Sequence, residues 1–146
     1  MENKTILLVE DNLDDVDLTL HALKKSNIKN DVIVVNDGAD ALDYLFGTGN
    51  YSNRDLTEMP TVILLDLMLP KVNGLEVLRS IRAHDSTKYL PVVILTSSKE
   101  EQDIINGYSL GVNSYVQKPV DFNQFAEAVK NLGLYWLLLN ELPPKR

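Results

Sequence analysis

Residues 5–12 read TILLVEDN, a short apolar run that ends abruptly in carboxylates. Residues 5–9 show no polar alternation, the pattern of a strand buried on both faces of a parallel sheet. Past the acids, Leu13, Val16, Leu20 and Leu23 recur at steps of 3, 4 and 3. That spacing predicts one buried stripe of a helix, with Asp11 or Asn12 as its N-cap and Asn27 as its stop.

The unit repeats along the chain. Strands are expected at residues 32–35, 62–65, 92–95 and 114–117, and helices at 39–46, 75–83, 99–110 and from Phe122 onward. Five strand and helix pairs in strict alternation predict a doubly wound α/β fold, a five-stranded parallel sheet with helices on both faces and right-handed crossovers. Residues 47–59, rich in Gly, Asn, Ser and Thr, form a longer connection than such units need and read as a surface insertion.

At 146 residues the chain fits one domain, residues 1–146, able to bury a core without disulfides. Apolar residues at 45% and charged residues at 24% exclude a disordered or fibrous protein. The absence of cysteine excludes thiolate chemistry and Cys-type zinc sites and points to a cytoplasmic protein. No signal peptide is present, and the longest apolar stretch, residues 134–139, is too short to span a bilayer. A net charge of −7 with scattered bases argues against nucleic-acid binding. The acids are concentrated early: Glu2, Glu10, Asp11, Asp14, Asp15 and Asp17 face a single base, Lys4.

In doubly wound sheets, ligands sit in the crevice beyond the carboxyl ends of the strands. The first strand ends in Glu10 and Asp11, the third in Asp66, the fourth in Thr96, and the fifth, after Gln117, in Lys118. Carboxylates ending adjacent buried strands repel one another unless a cation lies between them. All-oxygen ligands that leave room for water suit Mg²⁺. A carboxylate beside such an ion can act as a nucleophile toward a phosphoryl group. Asp66 is then the acceptor, Glu10 and Asp11 serve the metal, Lys118 matches the charge of the transferring oxygens, and Thr96 donates a hydroxyl. His21 and His84 lie on predicted helices without a paired ligand and read as surface or filler residues.

The segments LLVEDN (7–12), VILLDLMLPKVNGLEVL (62–78), PVVILTSS (91–98) and SYVQKPVD (114–121) closely resemble receiver domains of two-component response regulators, over residues 4–131. The steps of 30 residues from Asp66 to Thr96 and 22 from Thr96 to Lys118 are those of typical receivers, while the longer step from Asp11 to Asp66 reflects the 47–59 insertion. The resemblance implies the flavodoxin-like (βα)5 receiver fold, a phosphoryl group received on Asp66 from a histidine kinase's phosphohistidine, and Mg²⁺ held by Asp11, Asp66 and the Met68 backbone carbonyl, with Glu10 acting partly through water. It also implies a switch in which Thr96 moves inward and Tyr115 turns with it, and a cis Lys118–Pro119 peptide where the ordinary X-Pro preference is trans. The insertion and the ending LGLYWLLLNELPP are similar to small regulators partnered with bacterial phytochrome-type kinases.

That ending carries more apolar side chains than one helix face can hide. Residues 132–146 either complete the chain's own core or form a self-association or partner surface anchored by Tyr135, Trp136 and Leu138. Other functions stay open: a degenerate receiver that binds without being phosphorylated, or a Mg²⁺-dependent aspartyl-phosphate phosphatase of the dehalogenase type. The phosphatase pattern needs an Asp where Met68 stands. A flavodoxin-like electron carrier would need a phosphate loop where Glu10, Asp11 and Asn12 stand.

Overall fold

The computed structural model describes residues 5–25, 28, 30–96, 106, 109–112, 114–118 and 121–131. Its elements are β1 (Ile6–Val9), α1 (Leu13–Lys25), β2 (Val32–Val35), α2 (Gly38–Phe46), a single 3₁₀ turn (Gly49–Tyr51), β3 (Val62–Asp66), α3 (Gly74–Ala83), β4 (Val92–Thr96), β5 (Ser114–Gln117) and α4 (Phe122–Asn131). The strands form one sheet in the order β2-β1-β3-β4-β5. Every pairing is parallel, with Val9 opposite Leu65, Asp66 opposite Leu95 and Thr96 opposite Gln117. This is the expected flavodoxin-like receiver fold. Winding reverses between β1 and β3, so the crevice of such a sheet opens where Glu10, Asp11 and Asp66 lie.

The lack of polar alternation in the strands is explained by what lies on each side of the sheet. Ile6, Leu8, Leu64, Leu95 and Val116 face Val16, Ala22 and Leu23 of α1 and Phe125 and Ala128 of α4. Leu7, Val9, Ile63, Leu65 and Ile94 face Ala41 and Leu45 of α2 and Val77, Leu78 and Ile81 of α3. Since successive side chains point to opposite faces, a strand covered on both must be apolar throughout. The two edge strands, β2 and β5, are incompletely buried.

Each helix begins on a side-chain cap, the position where a short polar side chain satisfies an amide with no partner in the helix. Asp37 Oδ1 accepts the Asp40 N–H at 2.7 Å, and Asn73 Oδ1 accepts that of Glu76 at 3.0 Å. At α4, Asp121 accepts the Gln124 N–H at 2.8 Å and its side-chain amide at 3.1 Å. These bonds to Gln124 hold the Asp121 carboxyl below the usual carboxylate range. The helix α2 ends on Gly47 in the left-handed conformation, whose N–H returns to Asp43 O.

The α1 stripe differs from its expectation. Leu13 is 70% exposed, and Thr19 and Ala22 join Val16 and Leu23 in the buried face, with Leu20 half-buried. Leu13 is the first residue of α1, directly after the Asn12 cap. In α4, Phe125 is fully buried. The side chains of Phe122 and Val129, the expected stop at Asn27, most of the helix expected at 99–110 and all of residues 132–146 lie outside the described residues.

Arg54 ties the 47–59 connection to α2. Arg54 donates through Nε to Tyr44 O at 2.6 Å, through Nη1 to Glu58 O at 2.7 Å and through Nη2 to Leu45 O at 3.4 Å. Its guanidinium also stacks 4.2 Å over the Tyr44 ring, which meets Tyr51 edge-on. Three carbonyls at the C-terminal end of a helix and its following loop are satisfied by one planar fork.

Candidate functional site

The first acidic strand end is rigidly seated. Glu10 N donates to Val35 O at 2.9 Å, Asn36 Nδ2 donates to Glu10 O at 3.1 Å, and the Glu10 side chain is fully buried. Asn12 decides between the two expected caps of α1, since its Oδ1 accepts the Asp15 N–H at 3.1 Å. The exposed Asp11 is thereby left to line a cleft of about 480 Å³ with Leu67, Met68, Leu69, Pro70, Asn73 and Leu75.

Asp66, buried at the end of β3, is held through both carboxylate oxygens. Oδ1 accepts the Met68 N–H at 3.0 Å and Oδ2 accepts from Lys118 Nζ at 3.0 Å. Beneath it, Gly74 opens α3 against the strand: a Cβ there would stand 2.3 Å from Asp66 O, so only glycine permits this approach. Carboxylate oxygens of Glu10, Asp11 and Asp66 all lie within 4.8 Å of one another.

Lys118, just past β5, is the counter-charge. Its side chain is only 9% exposed, and its ammonium pairs with Glu10 Oε1, with Asp66 Oδ2 at 3.0 Å and with Asp15 Oδ2 at 3.0 Å. Burial alone would favour its neutral form, but Glu10, Asp66 and Asp15 outweigh that and raise its pKa. Burial pushes the Glu10 carboxyl up to about 7, reinforced by its hydrogen bond with Asp66 and opposed by Lys118. One ammonium is therefore shared by three carboxylates, Glu10, Asp15 and Asp66, with Asp11 beside Glu10 and Asp66, and the deficit of positive charge favours a second cation. Every group of the cluster that could ligate a metal is a carboxylate oxygen, which suits a hard divalent ion.

The other expected residues are distributed as follows. Thr96 ends β4 opposite Gln117, with its side chain outside the described residues. Tyr115, opposite Ile94, is 39% exposed on β5. Met68 turns its side chain to solvent while its N–H serves Asp66. Tyr135, Trp136, Leu138 and Pro119 lie outside the described residues. His21 is exposed, and His84 packs on Phe46 with Nδ1 2.7 Å from Ser80 O, in keeping with surface and filler roles. Asp15 was not among the expected site residues; nothing in the local sequence separates it from its neighbours Asp14 and Asp17, and the folded chain brings it to Lys118.

A parallel sheet of this order, with three acids and a lysine gathered at the carboxyl ends of β1, β3 and β5, has the architecture of a receiver domain. Residues 6–130 match the Response regulator receiver domain family, and the chain belongs to it. It is thus a receiver of two-component signalling.

Response regulator Rcp1 of Synechocystis sp. is 40% identical over 140 residues, spanning 96% of this chain and 93% of its own length. A structure of Rcp1 in its Mn²⁺-bound form superimposes with a TM-score of 0.76 over 97% of this chain and 99% of that one, at 40% identity. Bacteriophytochrome response regulator RtBRR is 56% identical with a TM-score of 0.86, covering 99% of this chain and 86% of that one. The phosphorylated cyanobacterial phytochrome response regulator RcpA is 41% identical with a TM-score of 0.77, covering 97% of this chain and 99% of that one. Among the described residues, no helix is long and apolar enough to cross a membrane.

Proposed function

We propose that the chain works as a single receiver domain over residues 1–146 that accepts a phosphoryl group on Asp66 from a histidine kinase phosphohistidine, with Mg²⁺, and signals through protein contacts. The observation that carries this is the meeting of Asp66 with Glu10 and Asp11 within 4.8 Å while Lys118 Nζ stands 3.0 Å from Asp66 Oδ2. Glu10, Asp11, Asp66 and the Met68 carbonyl are the groups that would hold Mg²⁺, which when bound offsets negative charge on the transferring oxygens.

An Asp66 carboxylate oxygen forms the new P–O bond as the P–N bond of the phosphohistidine breaks. The bonding pair stays with the imidazole, whose other nitrogen carries a proton, so it leaves neutral. The Met68 N–H and the Lys118 ammonium hold the two Asp66 oxygens in place, so the attack needs no reorientation of the strand end. Thr96, at the end of β4, and Tyr115, on β5, form the switch, and phosphorylation acts through contacts that differ between its two states. Beyond this self-modification no enzymatic turnover is assigned.

The kinase partner is of the phytochrome type, on the strength of RtBRR and RcpA, whose names link them to phytochromes. Residues 132–146, with Tyr135, Trp136 and Leu138, form a homodimer or partner surface. The cytoplasm is where such a kinase meets its regulator.

Incubation with acetyl phosphate, with and without Mg²⁺, followed by intact mass, is the test. A metal-dependent gain of one phosphoryl group that is absent from Asp66→Asn is the expected result. No gain in the presence of bound Mg²⁺ would point to a degenerate receiver or to a strict requirement for the kinase as donor.

A further inference from the structure

The three carboxylate partners of Lys118 are not equivalent. Glu10 and Asp66 belong to the cluster whose oxygens lie within 4.8 Å of one another, and Asp15 does not. It reaches the ammonium from the first turn of α1, a different element, with its own backbone N–H fixed 3.1 Å from Asn12 Oδ1. Its Oδ2 accepts from Lys118 Nζ at 3.0 Å, and its side chain is 28% exposed, at the rim rather than the floor of the site.

Any divalent ion held by Glu10, Asp11 and Asp66 draws on the same lone pairs that now hold Lys118 and repels its ammonium through the low-dielectric interior. Two of the three bonds that place Lys118 are therefore weakened in the loaded site, and the bond to Asp15 is the one left outside that competition. We infer that Asp15 is a positioning residue for phosphoryl transfer, its carboxylate keeping the Lys118 ammonium beside Asp66 Oδ2 while the cluster's own carboxylates turn to a metal ion. This rests on Asp66 being the phosphoacceptor. Asp15 touches neither phosphorus nor attacking oxygen; it acts through Lys118 alone.

The experiment compares initial rates of Asp66 labelling by acetyl phosphate, at saturating donor and Mg²⁺, in wild type, Asp15→Ala, Asp15→Glu and Asp14→Ala, and repeats Asp15→Ala on a Lys118→Ala background. Asp15→Ala is expected to slow labelling about tenfold, the low end of what outer partners of metal-site groups contribute, with the Mg²⁺ half-saturation moving less than about threefold. Asp15→Glu should recover most of the rate. Asp14→Ala, which removes the same charge one residue away, should leave it unchanged, and on the Lys118→Ala background Asp15→Ala should have no further effect.

A second readout needs no transfer: the ¹⁵Nζ resonance of Lys118, followed by NMR in EDTA and after Mg²⁺ addition, should persist in wild type and be lost to solvent exchange on Mg²⁺ addition in Asp15→Asn. An unslowed Asp15→Ala, an equal loss on the Lys118→Ala background, or a Lys118 signal indifferent to Asp15 each overturns the inference while leaving Asp66 as acceptor. A wild type that is never labelled overturns both.

Discussion

Gly38, the first residue of α2, lies directly beneath Val72: a Cβ on Gly38 would stand 1.8 Å from the Val72 carbonyl oxygen and 2.9 Å from its Cβ. The start of α2 is thereby packed against the loop that leads from Asp66 to α3. The contact is reinforced by Lys71, which pairs with the α2 cap Asp37 at 3.4 Å and itself adopts a left-handed backbone at φ 66°.

Gly38→Ala reverses the usual gain from replacing a helical glycine. At an open helix position alanine is the better residue. Here the methyl meets backbone, which cannot step aside as a flexible side chain does, and overpacking of this kind costs about 3 kcal/mol. Urea denaturation should record that loss. An unchanged or raised midpoint would show that the loop moves at little cost.

The raised Glu10 pKa sets a pH dependence in the metal-free protein. The group goes from an ordinary value of 4.5 to about 7, so its neutral form is favoured by folding. Its contribution to stability is fully present below pH 4.5 and is lost as pH rises through about 7. Mg²⁺ needs the ionised form, so its affinity should rise over the same interval. Thermal melts in EDTA from pH 5 to 8 should show a decline in wild type that Glu10→Gln flattens, and excess Mg²⁺ should restore stability above pH 7. Parallel profiles for the two proteins would mean that Glu10 is already ionised.

Arg54→Ala should release the 47–59 connection without touching the chemistry. It removes the hydrogen bonds to Tyr44, Leu45 and Glu58 and the stacking on Tyr44. A loss of about 2 kcal/mol is expected from unpaired carbonyls and lost stacking. Arg54→Lys should rescue little, because an ammonium cannot reproduce the planar fork. Hydrogen exchange should accelerate in this loop and in the last turn of α2, while Asp66 labelling stays at the wild-type rate.

The unbroken apolar runs at residues 5–9, 62–65 and 92–95 announced strands covered on both sides, because only burial on two faces removes the polar residue from every second position. The strand-end acids and Lys118 were legible for a related reason: a doubly wound sheet has one place for a ligand, so residue type at the carboxyl ends carries functional meaning. The α1 stripe was less legible. Leu13 fits the helical period, but a period says which way a residue points and not whether an element lies opposite it.

What the amino-acid order determines here is local and periodic: five strands, their helices, the polar caps, and the identity of the groups at each strand end. Which groups touch is decided by the crossovers that lay β1 beside β3 and bring Lys118 to Glu10, Asp15 and Asp66. The third carboxylate on Lys118 arises that way, 103 residues away in the chain. Charge and hydrogen-bonding capacity belong to residues, but the partner that satisfies them is set by distance in space, which only the packed sheet defines.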